Sequence, residues 1–221
     1  MTDLSSSPPP HPQYAGLSQG LAALGLSVPD ATQTQLLAYL DLLGRWNKVY
    51  NLTAVRRPEE MLVQHLLDCL AVVPPMSRAL AALPAPRVLD VGSGGGLPGA
   101  VLAIVHPQWQ VACVDTVGKK ASFIRQVAAE LGLKNLQALH ARVETLEGSG
   151  YDLITSRAFA SLEDFVSLTA SLLAPQGLWC AMKAKLTAEE KAAVAADVFH
   201  VEPIQVPQLD AERCLVWMRP R

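Results

Sequence analysis

The sequence predicts a doubly wound α/β fold: a mostly parallel sheet covered by helices on both faces, preceded by a helical extension. Three observations predict it. From Arg87 onward, short runs rich in valine and leucine alternate with segments of helical period, the pattern of repeated strand–helix–strand units. The first of these runs leads into a glycine-rich loop, Gly92 to Gly96. Before Arg87 the apolar residues recur only at helical spacing, and no strand candidate appears.

In the extension, Leu36, Leu37, Leu40, Leu43 and Trp46 share one helical face. Met61, Leu62, His65, Leu66, Cys69 and Leu70 share another. Pro74-Pro75 ends that second helix, because proline lacks a backbone donor and fixes φ. Val88 to Val91 is the first strand. Pro98 to Ile104 is a helix with proline in its first turn, where it is tolerated. Trp109 to Val114 is the second strand, ending at Asp115. Lys119 to Leu131 is a helix closed by Gly132. Leu136 to Ala141 and Tyr151 to Ser156 are the third and fourth strands. Leu162 to Leu173 reads as a helix stopped by Pro175-Gln176-Gly177, and Leu178 to Met182 as the fifth strand. Thr187 and Glu190 have capping-box spacing and open another helix. Val201 to Val206 and Cys214 to Met218 form a closing hairpin. The expected organisation is a disordered tail over 1–13, a helical region over 14–84 and a ligand-binding core over 85–221.

Half of the residues are hydrophobic, enough for a substantial core, and the net charge is −2. That balance excludes an overall basic coat but not a local basic patch. The four cysteines are far apart, with no Cys-x-x-Cys pair, so no metal site is expected. The Ser/Pro-rich start has no apolar stretch and does not read as a signal peptide. No run is long enough for a transmembrane helix, so no membrane partner is expected. Together these place the chain in a reducing cytoplasm.

The strongest chemical signal is Asp90-Val91-Gly92-Ser93-Gly94-Gly95-Gly96-Leu97-Pro98-Gly99, a strand passing through a glycine loop into a helix. Glycines such as Gly92 and Gly94 let the backbone approach a ligand closely. No Gly-Lys-Ser/Thr follows, which rules out a P-loop. Asp90 at the strand end would repel a pyrophosphate and suits a cationic ligand such as S-adenosylmethionine, which carries a sulfonium and an ammonium. Asp115 ends the second strand, where an acid accepts hydrogen bonds from ribose hydroxyls. After the third strand, the Val143 amide and the Glu144 carboxylate can read an adenine edge. Arg157, after the fourth strand, can hold a carboxylate or a phosphate as a planar fork. His65 and Asp68, one helical turn apart, read as a helix-packing pair. A triad reading fails, because no serine or cysteine nucleophile stands in a recognisable elbow. Basic residues form local groups: Arg45 with Lys48, Arg56-Arg57, Lys119-Lys120 with Arg125, and Lys183 with Lys185. Lys119 and Lys183 follow strands two and five, so both groups are expected on the rim that carries the ligand, where they can meet RNA phosphates.

These motifs resemble the RsmG family, also called GidB, of bacterial small-subunit ribosomal RNA guanine methyltransferases. The resemblance runs from Leu36 to Met218. It includes Trp46-Asn47-Lys48, Tyr50-Asn51-Leu52-Thr53, Glu60-Met61-Leu62 with His65 and Asp68, and the Asp90 to Gly99 loop. It continues through Asp115 with Gly118-Lys119-Lys120, Arg142-Val143-Glu144, Ser156-Arg157-Ala158-Phe159-Ala160, Val206-Pro207 and Glu212-Arg213. Two positions depart from the family pattern. Cys69 stands where serine is usual, and Ala184 where glycine is usual. The resemblance implies a class I Rossmann-like core and S-adenosylmethionine as cofactor. The implied cofactor contacts are Gly92, Leu97, Val143, Glu144 and Arg157, with Asp115 on the ribose. It also implies methylation of nitrogen 7 of the guanine at position 527, in the 530 loop of 16S rRNA. The protein is expected to be a monomer. Arg56, Lys119, Lys120, Arg125, Lys183 and Lys185 are the expected RNA contacts.

Guanine nitrogen 7 is an unprotonated acceptor, so no general base is required and Arg157 acts by positioning. Phe159 is a candidate stacking platform. The competing readings are a methyltransferase acting on another RNA or on a small metabolite, a nicotinamide-dependent dehydrogenase, and a non-enzymatic RNA-binding protein.

Overall fold

A computed structural model describes residues 11–148, 150–157, 159 and 161–221. Of the expected tail, residues 1–10 lie outside the described residues. His11 packs against the second helix, with Nε2 3.2 Å from a carboxylate oxygen of Asp41. Before the first strand come α1 (Tyr14–Ala23), α2 (Asp30–Tyr50), α3 (Pro58–Met61), a π-helical segment (Leu62–Leu67), α4 (Asp68–Leu70) and α5 (Val73–Ala79). Pro74 and Pro75 occupy the first turn of α5. They therefore open a new helix as well as closing the previous one, because the first turn needs no intrahelical N–H.

The sheet contains β1 (Arg87–Val91), β2 (Gln110–Asp115), β3 (Leu136–His140), β4 (Tyr151–Ser156), β5 (Leu173–Lys183), β6 (Asp197–Ile204) and β7 (Arg213–Arg219). The helices interleaved with them are α6 (Gly99–Val105), α7 (Gly118–Glu130), α8 (Leu162–Thr169) and α9 (Ala188–Ala193). The strand order is β3-β2-β1-β4-β5-β7-β6. The first five strands are parallel, and β7 pairs antiparallel with both β5 and β6. The chain builds outward from β1 to β3 and then returns to the other side of β1 at β4. The carboxyl ends of β1 and β4 thus flank the crevice at which such sheets bind ligands.

The alternation of side chains along each strand separates two apolar layers. Val88, Val111, Cys113, Leu153 and Leu215 face a large core shared with α2, α6, α7 and the helices before β1. Leu89, Val91, Val114, Ile154 and Val216 face a smaller layer under Leu162, Phe165 and Val166 of α8. Burial on both faces explains why the strands read as continuous apolar runs. No helix among the described residues is long and apolar enough to cross a membrane.

Two boundaries differ from expectation. The strand expected over Val201 to Val206 runs instead from Asp197 to Ile204, because it pairs along the whole length of β7. The helix expected over Leu162 to Leu173 stops at Thr169, passes through a short 3₁₀ turn over Ala170–Leu172, and becomes β5 at Leu173. Pro175-Gln176-Gly177 lies inside this strand, within a register shift between the Tyr151–Leu173 and Leu153–Leu178 pairs. A bulge accommodates the missing proline donor. A Cβ at Gly177 would lie 2.6 Å from the Tyr151 carbonyl oxygen, so the approach of the two strands there requires glycine.

A buried polar contact fixes the helical region before β1 to the glycine loop. Tyr39 of α2 is fully buried, and its hydroxyl donates to the Gly95 carbonyl at 2.8 Å. Tyr39→Phe should lower stability by about 1–3 kcal/mol, the cost of leaving a buried acceptor unsatisfied. Urea unfolding should show a lower midpoint with an unchanged slope. An unchanged midpoint would show that the contact is not holding the loop.

Candidate active site

The loop between β1 and α6 turns on glycines with positive φ, +66° at Gly92 and +58° at Gly94. No atom lies within 4 Å of a Cβ built at either position, so conformation rather than space demands glycine there. Gly99 is constrained by space: a Cβ would sit 2.3 Å from Cys113 Sγ and 2.9 Å from Asp90 Oδ2. Leu97 is buried in the larger core, and its amide donates to the Ser93 carbonyl at 3.0 Å.

Two buried carboxylates hold this loop. Asp115, 6% exposed, accepts from the Gly94 amide at 3.0 Å and the Val117 amide at 2.8 Å. It thereby ties the loop to the turn that enters α7. Lys120 Nζ lies 3.6 Å from the same carboxylate. Asp90 is fully buried, and Oδ2 accepts from the Gly99 amide at 2.8 Å. It therefore orients the first amide of α6 rather than those of the loop. Its Oδ1 is buried with no hydrogen-bond partner. Burial pushes the Asp90 carboxyl up to about 7, against the opposing pull of the Gly99 amide and the Arg157 charge. Two carboxylates under one loop, one with an unsatisfied oxygen, fit a ligand that brings cationic groups. They oppose a pyrophosphate, whose charge would add to theirs.

After β3, Val143–Thr145 forms a 3₁₀ turn beside Asp115, whose register partner is His140. The Val143 side chain is buried, and the Glu144 carboxylate takes Arg142 Nε at 2.7 Å. This turn lies on the same carboxyl edge of the sheet as the glycine loop.

Arg157, just past β4, carries the densest contacts. One of its guanidinium nitrogens donates to the Gln64 carbonyl at 3.1 Å and to Asp68 Oδ2 at 3.3 Å, and lies 3.5 Å from His65 Nδ1. Gln64 lies in the π-helical segment, a rare geometry found mostly at functional sites, and Asp68 begins α4 immediately after it. Asp68 is 2% exposed and also accepts from Arg213 Nε at 3.0 Å. His65 Nε2 lies 2.8 Å from Thr53 Oγ1, and Asn47 Oδ1 accepts the Thr53 amide at 2.8 Å. Burial, with the Arg157 charge beside it, lowers the His65 imidazole to about 4. His65 and Asp68 thus do not pair with each other; both engage Arg157. Asn47, Thr53, His65, Arg157, Asp68 and Arg213 form one polar chain joining the helical region, β4 and β7. The contributions of Thr53, Arg213 and Tyr39 were not legible as chemistry in the sequence.

The cations divide into two groups on either side of the β1–β4 crevice. Lys119 Nζ donates to the Tyr50 carbonyl at 2.7 Å, which brings the end of α2 to the rim. Arg56 is exposed, with a long 3.5 Å contact to Asn51. Arg125 is exposed further along α7. Across the crevice, Lys183 ends β5 and reaches Glu190 Oε1 at 2.5 Å, while Lys185 is exposed. Phe159 lies between two residues outside the described set, Ala158 and Ala160, with its ring 5.7 Å from Phe165.

A family model described as rRNA small subunit methyltransferase G matches residues 32–216. The chain is 61% identical over 205 residues to the ribosomal RNA small subunit methyltransferase G of Methylibium petroleiphilum, covering 92% of each chain. It is 59% identical over 212 residues to that of Leptothrix cholodnii, covering 95% of this chain and 97% of the relative. The fold is similar to a variant of the 16S rRNA (adenine(1408)-N(1))-methyltransferase from Catenulisporales acidiphilia. The TM-score is 0.51 and the identity 19%, over 67% of this chain and 92% of that one.

Asp90 and His65 make opposite contributions to stability against pH. The unfolded chain releases the Asp90 proton near its ordinary 3.8, whereas the folded chain keeps it to about 7. Asp90 therefore makes stability fall as pH rises between those values. His65 titrates near 4 when folded, below its ordinary 6.5, so its contribution is lost as pH falls through that window. Asp90→Asn keeps an acceptor for Gly99 and removes only the first effect. Relative to this variant, the parent should lose up to about 1.4 kcal/mol per pH unit between pH 4 and 7. Parallel stability curves from urea unfolding across that range would contradict the assignment.

Proposed function

Because the chain belongs to the rRNA small subunit methyltransferase G family, we propose that this S-adenosylmethionine-dependent methyltransferase modifies nitrogen 7 of one guanine in 16S rRNA. On the family resemblance the target is the guanine at position 527 in the 530 loop. The observation that carries the reading is the glycine loop held between Asp90 and Asp115, with an unsatisfied buried carboxylate oxygen. Bound there, S-adenosylmethionine supplies a methyl group made electrophilic by its sulfonium.

The remaining chemistry belongs to this chain. Gly92 and Gly94 allow close backbone approach, and Asp115 keeps a lone pair on each oxygen for the ribose hydroxyls. The Val143–Glu144 turn faces the adenine. Leu97 contributes through its main chain, since its side chain is committed to the core. Arg157 is a positioning residue whose guanidinium is held by Asp68 and Gln64. Guanine nitrogen 7 attacks with a free lone pair, so no proton leaves the base and no side chain needs to accept one. Rate enhancement then comes mainly from alignment.

Arg56, Lys119, Lys120, Arg125 and Lys185 supply phosphate contacts around the crevice. In this reading the enzyme acts as a monomer in the cytoplasm, where its ribosomal RNA substrate is made.

Tritiated methyl transfer to deproteinised 16S rRNA and to small-subunit particles tests the reading, with 7-methylguanine as the expected product. The rate should show no step above neutrality from a side-chain base. Lys119→Ala or Arg56→Ala should lower the salt dependence of RNA binding by roughly one unit or less for each cation neutralised, leaving cofactor affinity unchanged. Methyl groups on a ribose hydroxyl or a pyrimidine carbon would refute the proposed chemistry.

A further inference from the structure

A cleft of about 440 Å³ opens at the carboxyl ends of β4 and β5, beneath α8 and α9. That volume falls within the range of small-molecule sites. Ser156, Phe159, Phe165, Lys183, Thr187 and Glu190 are among its lining residues. It lies on the same edge of the sheet as the glycine loop, because β4 is the neighbour of β1.

Three features make it a built site. Lys183 Nζ and Glu190 Oε1 stand 2.5 Å apart, so a cationic donor sits beside an anionic acceptor. The pair is partly open, with side chains 20% and 29% exposed. Both charged groups thus keep a face toward the cleft, where a ligand can meet them. Second, Ser156 Oγ is buried with no hydrogen-bond partner, an unusual state for a hydroxyl in a folded interior. Third, Phe159 offers an aromatic wall backed by Phe165 at 5.7 Å.

We propose that this cleft receives the target guanine and reads its Watson–Crick edge, Lys183 donating to O6 and Glu190 accepting from N1–H and the exocyclic amino group. The inference rests on the methyl-transfer reading above and gives Lys183 a base contact in place of a phosphate. Guanine places one acceptor next to two donors along this edge. Adenine reverses the order, setting an amino group against the ammonium and a lone pair against the carboxylate. Reading the base from this side leaves nitrogen 7, on another edge of the purine, free to attack. It also requires an unpaired base, the form in which RNA is read by sequence. Phe159 then stacks on the ring face. Nitrogen 7 forms a bond to the methyl carbon as the carbon–sulfur bond breaks, and the positive charge passes to the purine. Glu190 faces that charge, so it binds the reacting state more strongly than the neutral base.

Glu190 also accepts the Thr187 amide as part of the capping box that opens α9. Glutamine supports the same box, so Glu190→Gln tests recognition without removing the cap. The full-length chain is assayed on 16S rRNA carrying guanine or inosine at the target; inosine lacks the exocyclic amino group. The parent should prefer guanine by at least about tenfold in kcat/KM, the low end for losing one hydrogen bond to a charged acceptor. Glu190→Gln should lose at least that factor on guanine, mainly in kcat, and discriminate less than about threefold against inosine. Lys183→Met should lower kcat/KM on both RNAs, with cofactor affinity by calorimetry unchanged in each variant. Full discrimination retained by Glu190→Gln would overturn the assignment while leaving the methyl-transfer reading intact. No transfer to guanine by the parent chain would overturn that reading, and the cleft assignment with it.

Discussion

One buried carboxylate, Asp68, holds the site together by accepting from two arginines far apart in the chain. Arg157 reaches it from the end of β4 and Arg213 from the start of β7, at 3.3 and 3.0 Å. A charge this deeply buried is tolerated only when paired and hydrogen-bonded. Removing a partner from such an arrangement costs several kcal/mol, because the remaining charge stays desolvated. The two guanidiniums are about one quarter exposed, so each keeps a face toward solvent while Asp68 fixes its position. Everything around the crevice follows from this constraint. The π-helical segment and the start of α4 must lie against β4 to supply the Gln64 carbonyl and Asp68, and the Asn47–Thr53 turn must lie against His65.

The charge distribution also separates two tasks. Under the glycine loop, Asp90 and Asp115 provide negative potential, with Lys120 3.6 Å from Asp115. Around the rim, Lys119, Arg56 and Lys185 provide positive potential. A net charge of −2 hides this polarity entirely. A cationic small molecule and an anionic polymer can approach the same edge of the sheet, each drawn to a different layer of it. The ionisation of Asp90 is the delicate part: with its carboxyl pushed to about 7, the loop lies between a neutral and a charged floor near neutral pH.

Much of this was legible in the sequence because its cause is local. The glycine loop, the strands on either side of it and the capping box of α9 depend on residues within about one helical turn, and both capping-box bonds form. The departures have non-local causes. Pro175-Gln176-Gly177 reads as a stop signal, yet the neighbouring strand carries it as a bulge, with Gly177 chosen by the Tyr151 carbonyl. Periodicity places His65 and Asp68 on one helical face but cannot reveal the π-helical widening, which aims them at Arg157. Tyr39 lies between leucines of the same stripe and reads as one more core residue. Its role appears only when its hydroxyl meets Gly95, 56 positions away. Arg213 carries no local signal, since its partner lies 145 positions earlier.

The antiparallel insertion of β7 between β5 and β6 has a consequence for how the chain matures. Arg213 is the first residue of β7, and it reaches Asp68 only when that strand takes its place beside β5. During synthesis, the helical region and the first five strands leave the ribosome before Arg213 does. Until the final hairpin docks, Asp68 has at most one of its two partners. The hairpin of β6 and β7 therefore completes a polar chain that the helical region and β4 leave open, so the crevice takes its final form only when the two ends of the sequence meet.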